Sequence, residues 1–336
     1  MTGRERVLTM VDGGRPDHLP ALPITMMFAA DTDGVSYRSY ASDFRVLAEA
    51  QARTAEQYGF DHVSVISDPA REASDLGAAI EWFENQPPAI IESRALLSDK
   101  SALPRLRVPD PLVSPRMSDR VAGVRRLKEL VTVDCAVEGW VEGPIAMAAD
   151  LRGLNTLMLD FTDDTPFVRD LLDFVIEMEL CFAKAQIEAG ADWIGIGDAA
   201  ASLVGPRRYA DFDVPWSKRL IDGIHEAGAA VRLHICGNTR RILPAMGRYG
   251  AAIVDLDFLV PLEEARSAMG PEQILLGNID PVRVLRDGTP ETVRQAIEDC
   301  HHGAGGRYIV GAGCEVPRGT PPENLRAMVE YAKTSN

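Results

Sequence analysis

Short apolar segments alternate with amphipathic helical segments along most of the chain, and this alternation restricts the possible folds more than any other feature. Eight segments have the length, apolar character and flanking turn residues of buried strands: 22–28, 62–67, 131–138, 193–197, 230–235, 252–257, 273–277 and 307–310. At least one helical segment separates each strand from the next, which is typical of a parallel sheet. Eight such units in 336 residues predict a closed (β/α)₈ barrel of the TIM class. An open, doubly wound α/β sheet is the alternative.

The same periodicity analysis predicts how the rest of the chain is organised. The predicted helices cover residues 42–58, 118–130, 165–189, 206–227, 240–248, 261–269 and 323–333. Residues 76–116 combine short strands with a proline-rich loop, and we interpret them as an excursion from the barrel. No repeat, low-complexity tract or Gly/Ser-rich linker divides the chain. We therefore predict a single domain over residues 1–336, in which residues 1–18 form an N-terminal extension.

The charge balance excludes several classes of protein. The chain has 50 acidic and 35 basic residues and a net charge of −15, which argues against a nucleic-acid-binding protein and against an electrostatic membrane anchor. No apolar run approaches the roughly 20 residues that span a bilayer. The polar N-terminus resembles no signal peptide. These features predict a cytoplasmic protein, and the five irregularly spaced cysteines predict reduced thiols rather than disulfides.

The strongest functional signal is a histidine and two cysteines at strand ends. His234 and Cys236 are two residues apart at the end of the predicted strand 230–235, so their side chains point the same way. Cys314 follows the last predicted strand, after two glycines that allow the backbone to bend. All three lie at the end of the barrel where such folds place their chemistry. They predict a zinc site with one open position, and ordinary core residues are the alternative.

The ligand set indicates what kind of chemistry such a zinc ion would support. Two thiolates and an imidazole balance the charge of the ion, so it generates hydroxide poorly and holds soft anionic ligands well. A thiol bound there can lose its proton and remain nucleophilic, and the ion can also polarise an ether oxygen or an amine nitrogen. These properties favour the transfer of an alkyl group over the hydrolysis of a peptide.

Three segments carry a resemblance to a known family: residues 233–239 (LHICGNT), 275–281 (LLGNIDP) and 310–329 (VGAGCEVPRGTPPENLRAMV). They resemble the uroporphyrinogen decarboxylase superfamily, and specifically its zinc methyltransferase branch, which includes methylcobamide:coenzyme M methyltransferases and related corrinoid- or folate-linked enzymes. The resemblance covers most of the chain from about residue 45 onward. It implies a barrel, and it implies a zinc ion bound by His234, Cys236 and Cys314.

A more distant resemblance concerns a fourth zinc ligand. In cobalamin-independent methionine synthase, a carboxylate about twenty residues after the His-x-Cys cysteine completes the zinc site, and the nearest match in this chain is Asp257. The residues alone leave three roles open for Asp257. It is a displaceable ligand, an acceptor for a zinc-bound side chain, or the cap of the predicted helix that begins near residue 261.

One departure from the family pattern argues against decarboxylation. True uroporphyrinogen decarboxylases resemble one another in an arginine-rich segment near the first strand, which holds the carboxylates of the porphyrinogen. Residues 20–31 of this chain read PALPITMMFAAD and contain no arginine. A polyacidic macrocycle would therefore lack its counter-charges, and the decarboxylase reaction needs no zinc ligands.

The other candidate residues share one property, since each lies near the end of a predicted strand. The predicted catalytic residues are Glu142, Asp198 and Asp257. The predicted cofactor-binding residues are Met27, Asp68 and Asn278. Each has a structural alternative: a core side chain for the methionine, turn or loop residues for Asp68, Asn278 and Glu142, and a helix cap for Asp198.

These observations and the resemblance together predict a zinc-dependent methyltransferase. It is expected to move a methyl group between a corrinoid, which is methylcobalamin or a corrinoid carried on a separate protein, and a small acceptor such as tetrahydrofolate or a thiol. Demethylation of a methoxylated compound or a methylamine is one alternative, and decarboxylation of a tetrapyrrole is another. A non-catalytic zinc- or corrinoid-binding partner in a larger complex is the alternative from a different class of protein.

Overall fold

A parallel sheet forms the centre of the protein in the computed structural model, which describes residues 1–131 and 134–335. In these residues seven strands pair in chain order, each parallel to the next. The strands are β1 (His62–Ser64), β2 (Ala136–Glu142), β3 (Trp193–Gly197), β4 (Ala230–Ile235), β5 (Ile253–Leu256), β6 (Ile274–Ile279) and β7 (Tyr308–Ala312).

The segment at residues 20–22 closes this sheet into a barrel. Ala21 forms a parallel bridge with Val310 in β7, supported by hydrogen bonds from Leu22 N to Val310 O and from Val310 N to Pro20 O. On its other side, Asp61 N, next to β1, donates to Ala21 O. The segment thus fills the eighth position between the two edge strands. The predicted (β/α)₈ barrel is confirmed, and the open-sheet alternative is not.

Helices surround the sheet and occupy most of the connections between strands. The α-helices are α1 (Gly3–Val11), α2 (Met26–Thr32), α3 (Tyr37–Ser42), α4 (Phe44–Tyr58), α5 (Arg71–Asp75), α6 (Pro115–Val131), α7 (Pro144–Arg152), α8 (Leu154–Asp163), α9 (Thr165–Glu188), α10 (Gly205–Arg208), α11 (Val214–Glu226), α12 (Leu243–Met246), α13 (Leu262–Met269), α14 (Pro290–Ala304) and α15 (Pro322–Thr334). No helix in the described ranges is long and apolar enough to cross a membrane.

Two predicted strands, 22–28 and 131–138, differ most from the observed ones; the strands predicted at 62–67, 252–257, 273–277 and 307–310 differ in their bounds only. Residues 22–28 do not form one strand, because α2 begins at Met26. Pro23 cannot donate to a sheet, and the following Met and Ala residues are good helix formers. In the predicted strand 131–138, Val131 ends α6, residues 132 and 133 lie outside the described residues, and β2 runs on to Glu142. Glu138, at the predicted end of this strand, lies inside β2 and is fully buried, although a glutamate is rarely buried.

The excursion at residues 76–116 and the N-terminal segment lie at opposite ends of the barrel. In the excursion, Ile80–Glu81 pairs antiparallel with Ala89–Ile90, and the residues beside this pair line the barrel mouth. At the other end, Val7 and Met10 of α1 pack on a cluster that includes Trp193 at the start of β3. The N-terminal extension therefore covers the base of the barrel, where the strands begin.

Candidate active site

The structure brings the histidine and the two cysteines of the predicted metal site together at the barrel mouth. Their potential ligand atoms all lie within 4.8 Å of one another. Cys236 Sγ is 3.0 Å from His234 Nε2 and 3.6 Å from Cys314 Sγ. A Cβ atom at Gly313 would sit 2.3 Å from Phe258 N. Only a glycine at this position therefore lets the backbone come close enough to place Cys314 beside the end of β4.

Hydrogen-bond contacts link the three side chains, and this arrangement suits a bound cation. Hydrogen bonds from Cys236 and His234 lower the pKa of Cys314, and its contact with the Cys314 sulfur raises the pKa of Cys236. Burial acts to lower the pKa of His234, but Asp255 and Cys236 outweigh burial and raise it. These shifts favour a negative charge on Cys314 beside a positive charge on His234. A soft divalent cation would replace the protons on imidazole and sulfur and would bind all three atoms.

A buried ion-pair network below the cluster orients His234. Asp255 Oδ2 lies 3.1 Å from His234 Nδ1 and 2.7 Å from Arg232 Nη2. Arg232 also lies 3.3 Å from Glu138 Oε1, and the Trp193 indole N–H donates to the same oxygen at 2.9 Å. All of these side chains are inside the barrel. With Nδ1 held at the carboxylate, the imidazole presents Nε2 to the two sulfur atoms, as in metal sites where a carboxylate orients a ligating histidine.

A cavity of about 200 Å³ opens directly onto the His-Cys-Cys cluster, and we call it the inner cavity. Its other lining residues are Ile24, Met26, Ile66, Asp68, Pro69, Trp140, Glu142, Gly197, Ala199 and Glu315. A larger outer cavity of about 530 Å³ shares Pro69, Glu142 and Ala199 with it and includes Pro87 to Ile90 of the excursion. The two cavities adjoin at these three shared residues, and we call them together the path to the sulfur atoms.

Two of the other predicted site residues line this path. Asp68 is held by hydrogen bonds from Ser67 Oγ and Ala70 N and by an ion pair with Arg116 at 2.6 Å. Glu142 ends β2 and separates the inner cavity from the outer one. Both are placed where they can contact a substrate, although Asp68 is already neutralised by its arginine partner.

The side chains of Asp257 and Asn278 form hydrogen bonds with backbone groups. Asp257 accepts hydrogen bonds from Gly237 N at 2.7 Å and Leu259 N at 2.9 Å, and it is outside the set of described groups that cluster as metal ligands. Asn278 donates to the carbonyl oxygens of Asp257 and Val260. Since α13 begins with Pro261 as its N-cap, Asp257 does not cap that helix. The two residues fix the loop that supports the backbone after Cys236.

Asp198 and Met27 also differ from their predicted roles. The carboxylate of Asp198 accepts hydrogen bonds from Ile145 N and Ala146 N and therefore caps the start of α7. This placement favours the structural alternative over a catalytic role. Met27 contributes its backbone N–H, which donates to Glu315 Oε1 at 2.6 Å, whereas its neighbour Met26 lines the inner cavity.

Among the lining residues of the inner cavity that were not predicted from the sequence, Glu315 and Trp140 have the chemistry to contact a substrate. Glu315 follows Cys314 directly, and burial raises its pKa to about 8. Trp140 lies inside β2, and its ring packs where side chains at Gly195 and Gly197 would otherwise be. The position of Glu315 beside a predicted ligand was a usable signal. Trp140 gave none, because a tryptophan in an apolar strand is usually a core residue.

Four carboxyl groups lie close together near the end of β2, and we call them the acid cluster: the buried Glu72, Glu142 and Glu179 and the half-buried Asp150. Arg71 Nη2 lies 3.0 Å from Glu142 and 3.2 Å from Glu72. Both oxygens of Glu179 and Oδ2 of Asp150 have no hydrogen-bond partner in the described part of the chain. Burial and the neighbouring acids raise the pKa of Asp150 and of Glu142, the latter despite Arg71.

Comparisons with known proteins give one consistent result. The family model described as uroporphyrinogen decarboxylase (URO-D) matches residues 2–335. The chain is 32% identical over 340 residues to the methylcobamide:CoM methyltransferase MtbA of Methanosarcina mazei, covering 99% of this chain and 98% of that protein. It is 26% identical over 310 residues to the uroporphyrinogen decarboxylase of Nocardia farcinica, covering 88% of this chain and 85% of that protein.

A solved structure shares the fold over the whole chain. A methyltransferase from Methanosarcina mazei superposes with a TM-score of 0.87 at 22% identity, covering 99% of both chains. The barrel, its closing segment and its mouth therefore belong to an architecture that is already known.

Proposed function

The chain belongs to the uroporphyrinogen decarboxylase family, in its corrinoid-linked methyltransferase branch, and we propose that it moves a methyl group from a methylcorrinoid to a small thiol with the help of zinc. The methyltransferase MtbA, the relative at 32% identity, is named for transfer from methylcobamide to coenzyme M. The observation that carries the proposal is the cluster of His234, Cys236 and Cys314, whose ligand atoms lie together at the floor of the inner cavity.

The donor set fits zinc. One imidazole and two sulfur atoms within 4.8 Å of one another match the ligand types and spacing of a tetrahedral zinc site, and the inner cavity supplies room for a fourth ligand. When bound, zinc would hold an incoming thiol in its thiolate form. Asp257 stays a candidate fourth ligand only if it releases the N–H groups of Gly237 and Leu259.

The chain's own residues provide orientation and an enclosed path. Asp255 fixes the direction of His234, and Asp257 fixes the loop after Cys236. Ile24, Ile66 and Trp140 give the inner cavity apolar walls, which exclude water from the sulfur atoms. In the reaction the cobalt–carbon bond of the donor breaks and a carbon–sulfur bond forms, while the proton of the thiol leaves. The corrinoid is proposed to arrive on a partner protein.

Tetrahydrofolate is the second acceptor that we consider, and the site favours it less. An inner cavity of about 200 Å³ admits a small thiol fully but only part of a pterin with its side chain. Decarboxylation of a porphyrinogen is also less favoured, because the described residues that line the two cavities include no lysine or arginine for its carboxylates.

We also propose, as predicted from the sequence, that residues 1–336 form one domain.

The experiment that tests the proposed function is methyl transfer before and after removal of the metal. The purified protein is incubated with methylcobalamin and either a two-carbon thiol or tetrahydrofolate, and the loss of methylcobalamin is followed by absorbance. We expect a methylated thiol product, about one zinc ion per chain, loss of turnover after chelation, and recovery when zinc is added back. Turnover that survives complete removal of zinc would contradict the mechanism. In a separate assay with cob(I)alamin and a methylamine or a methoxylated aromatic compound, formation of methylcobalamin together with the demethylated amine or phenol would support the alternative direction.

A second prediction concerns the carboxylate that orients His234. Asp255→Asn removes the charge beside Nδ1 but keeps the size of the side chain, so we expect zinc affinity to fall by about 10- to 100-fold. Competition with a chromophoric chelator measures this change. Asp222→Asn is the matched control, because Asp222 pairs with Lys218 on the surface. Equal zinc affinity in the wild type and in Asp255→Asn would show that the ion-pair network has no influence on the metal.

A further inference from the structure

We propose that the small methyl acceptor carries a positive charge, an aminothiol being the simplest example, and that acidic thiols are excluded. This inference rests on the proposed function, because it names the substrate class of the same site. It differs from the acceptor for which the relative MtbA is named, since coenzyme M is a thiol with a sulfonate group.

The charges along the path to the sulfur atoms have one sign. Asp68, Glu142 and Glu315 line the inner cavity, and Glu92 and Asp150 line the outer cavity. Among the described residues that line either cavity there is no lysine or arginine, and the one basic group is the imidazole of His234 within the cluster itself. A substrate with an anionic end would therefore meet carboxyl groups at every position along the path.

The arginines nearest to the path are already paired. Arg71 is fully buried and lies between Glu72 and Glu142. Arg116 is paired with Asp68, and its guanidinium also lies over the ring of Trp82. An anionic substrate would have to break one of these buried ion pairs to obtain a counter-charge. Breaking a buried pair is costly, because it leaves a carboxylate without its partner.

Carboxyl oxygens at the cavity have capacity for a cationic ligand. Glu315 accepts a hydrogen bond at Oε1 from Met27 N. In the described part of the chain, no donor is hydrogen-bonded to its Oε2. Glu142 contacts Arg71 through Oε1 only. The pKa of Glu142 remains raised although Arg71 is its neighbour, because burial, Glu72 and Asp68 outweigh that one guanidinium. A bound ammonium group would supply the missing positive charge.

The remaining walls suit the body of the same ligand. Trp140, Ile24 and Ile66 line the inner cavity, so a short alkyl chain can lie against apolar surface while its ammonium group faces the carboxyl groups. An indole ring also attracts cations through its π face. Apolar walls, an aromatic ring and carboxyl oxygens without cationic side chains form a cavity for an organic cation.

Three two-carbon thiols of similar size test the inference: 2-aminoethanethiol, 2-mercaptoethanol and 2-mercaptoethanesulfonate. Each is supplied as acceptor to the zinc-loaded protein with methylcobalamin, and rates are referred to the concentration of each thiolate. We expect kcat/KM for the ammonium compound to exceed that for the sulfonate by on the order of 100-fold, with the neutral thiol between them. Equal values for the ammonium and neutral compounds, or a faster reaction with the sulfonate, would overturn the inference.

A charge-neutral variant links the preference to a specific residue. In Glu142→Gln the path loses a carboxyl group and Arg71 loses a partner, so we expect the ratio of kcat/KM for the ammonium and sulfonate compounds to fall about 10-fold or more. Glu226→Gln is the matched control. Glu226 is exposed at the end of α11, near the base of the barrel, and its removal changes the net charge by the same amount. An equal fall in both variants would show that net charge, and not the cavity, sets the preference.

Failure of this inference can be told apart from failure of the proposed function. If methylcobalamin reacts with none of the three thiols, the proposed function is contradicted. Equilibrium binding of the S-methyl derivatives of the ammonium and sulfonate thiols, measured by calorimetry on the metal-free protein, then decides the charge preference without turnover. Tighter binding of the ammonium derivative supports the inference, and equal or weaker binding overturns it.

Discussion

Replacement of Cys314 with alanine is expected to reduce the zinc content from about one ion per chain to below a tenth and to lower methyl transfer by on the order of 1,000-fold. The physical reason is the loss of one of three ligands that converge from two different strands. Cys314 Sγ lies 3.6 Å from Cys236 Sγ. Without it, only His234 and Cys236 of the described cluster remain to bind the ion. Elemental analysis and the absorbance of methylcobalamin, measured on the same samples, give both quantities.

Cys181→Ala provides the control for this prediction. Cys181 is a half-buried thiol on α9, with the same chemistry but no contact with the cluster. We expect it to keep both its zinc and its turnover. If Cys314→Ala also retained one zinc ion and normal turnover, the cluster would have to be reinterpreted as buried core residues, which was the structural alternative from the sequence.

Replacement of Arg232 with methionine is expected to lower the free energy of unfolding by about 3 to 5 kcal/mol. Arg232 lies inside the barrel, 2.7 Å from Asp255 and 3.3 Å from Glu138. Methionine fills much of the space but leaves two buried carboxylates without their counter-charge. Burial acts to raise the pKa of Asp255, but Arg232 and His234 outweigh it and lower the pKa. Because the folded-state pKa is lowered, this stabilisation is present at neutral pH and is lost as the pH falls.

Urea denaturation of wild type and variant at pH 7 measures the effect. Arg219→Met serves as the comparison, since Arg219 pairs with Asp173 at the exposed surface and such pairs contribute up to about 1 kcal/mol. We expect the difference between the two variants to shrink at low pH, where Asp255 becomes protonated. A loss below about 1 kcal/mol for Arg232→Met at neutral pH would mean that the barrel interior tolerates the two carboxylates without the guanidinium.

The regular second half of the chain could be predicted closely from local pattern. The strands 193–197 and 230–235 were predicted with the bounds of β3 and β4, because short apolar runs between a helix end and a turn leave little choice of register. The first predicted strand was wrong beyond its beginning, since α2 starts at Met26. A run of apolar residues fits a strand and a buried helix equally well, and only the packing around it distinguishes them.

The candidate site, like the fold, could be predicted from the sequence only in part. The sequence predicted that His234 and Cys236 share one side of a strand and that Cys314 follows another strand at the same end of the barrel. Both facts depend on the two-residue period of strands and on the parallel direction of the sheet. The sequence did not reveal the roles of Arg232 and Asp255, because charged residues in a strand are usually exposed on one side.

The polar residues that follow the strands show most clearly which roles could not be predicted from the sequence. Asp198, Asp257 and Asn278 were predicted to contact substrate or metal, but their side chains bind backbone groups of other loops. The sequence by itself determined the barrel, its direction and the meeting of the three candidate metal ligands, since these follow from periodicities that repeat within a few residues. Only the tertiary structure decided which carboxyl groups face the cavity and which are used by the backbone. Each of the three has at least one partner that is 20 or more residues away in sequence, and hydrogen-bond partners at that separation are set by how the loops pack on one another.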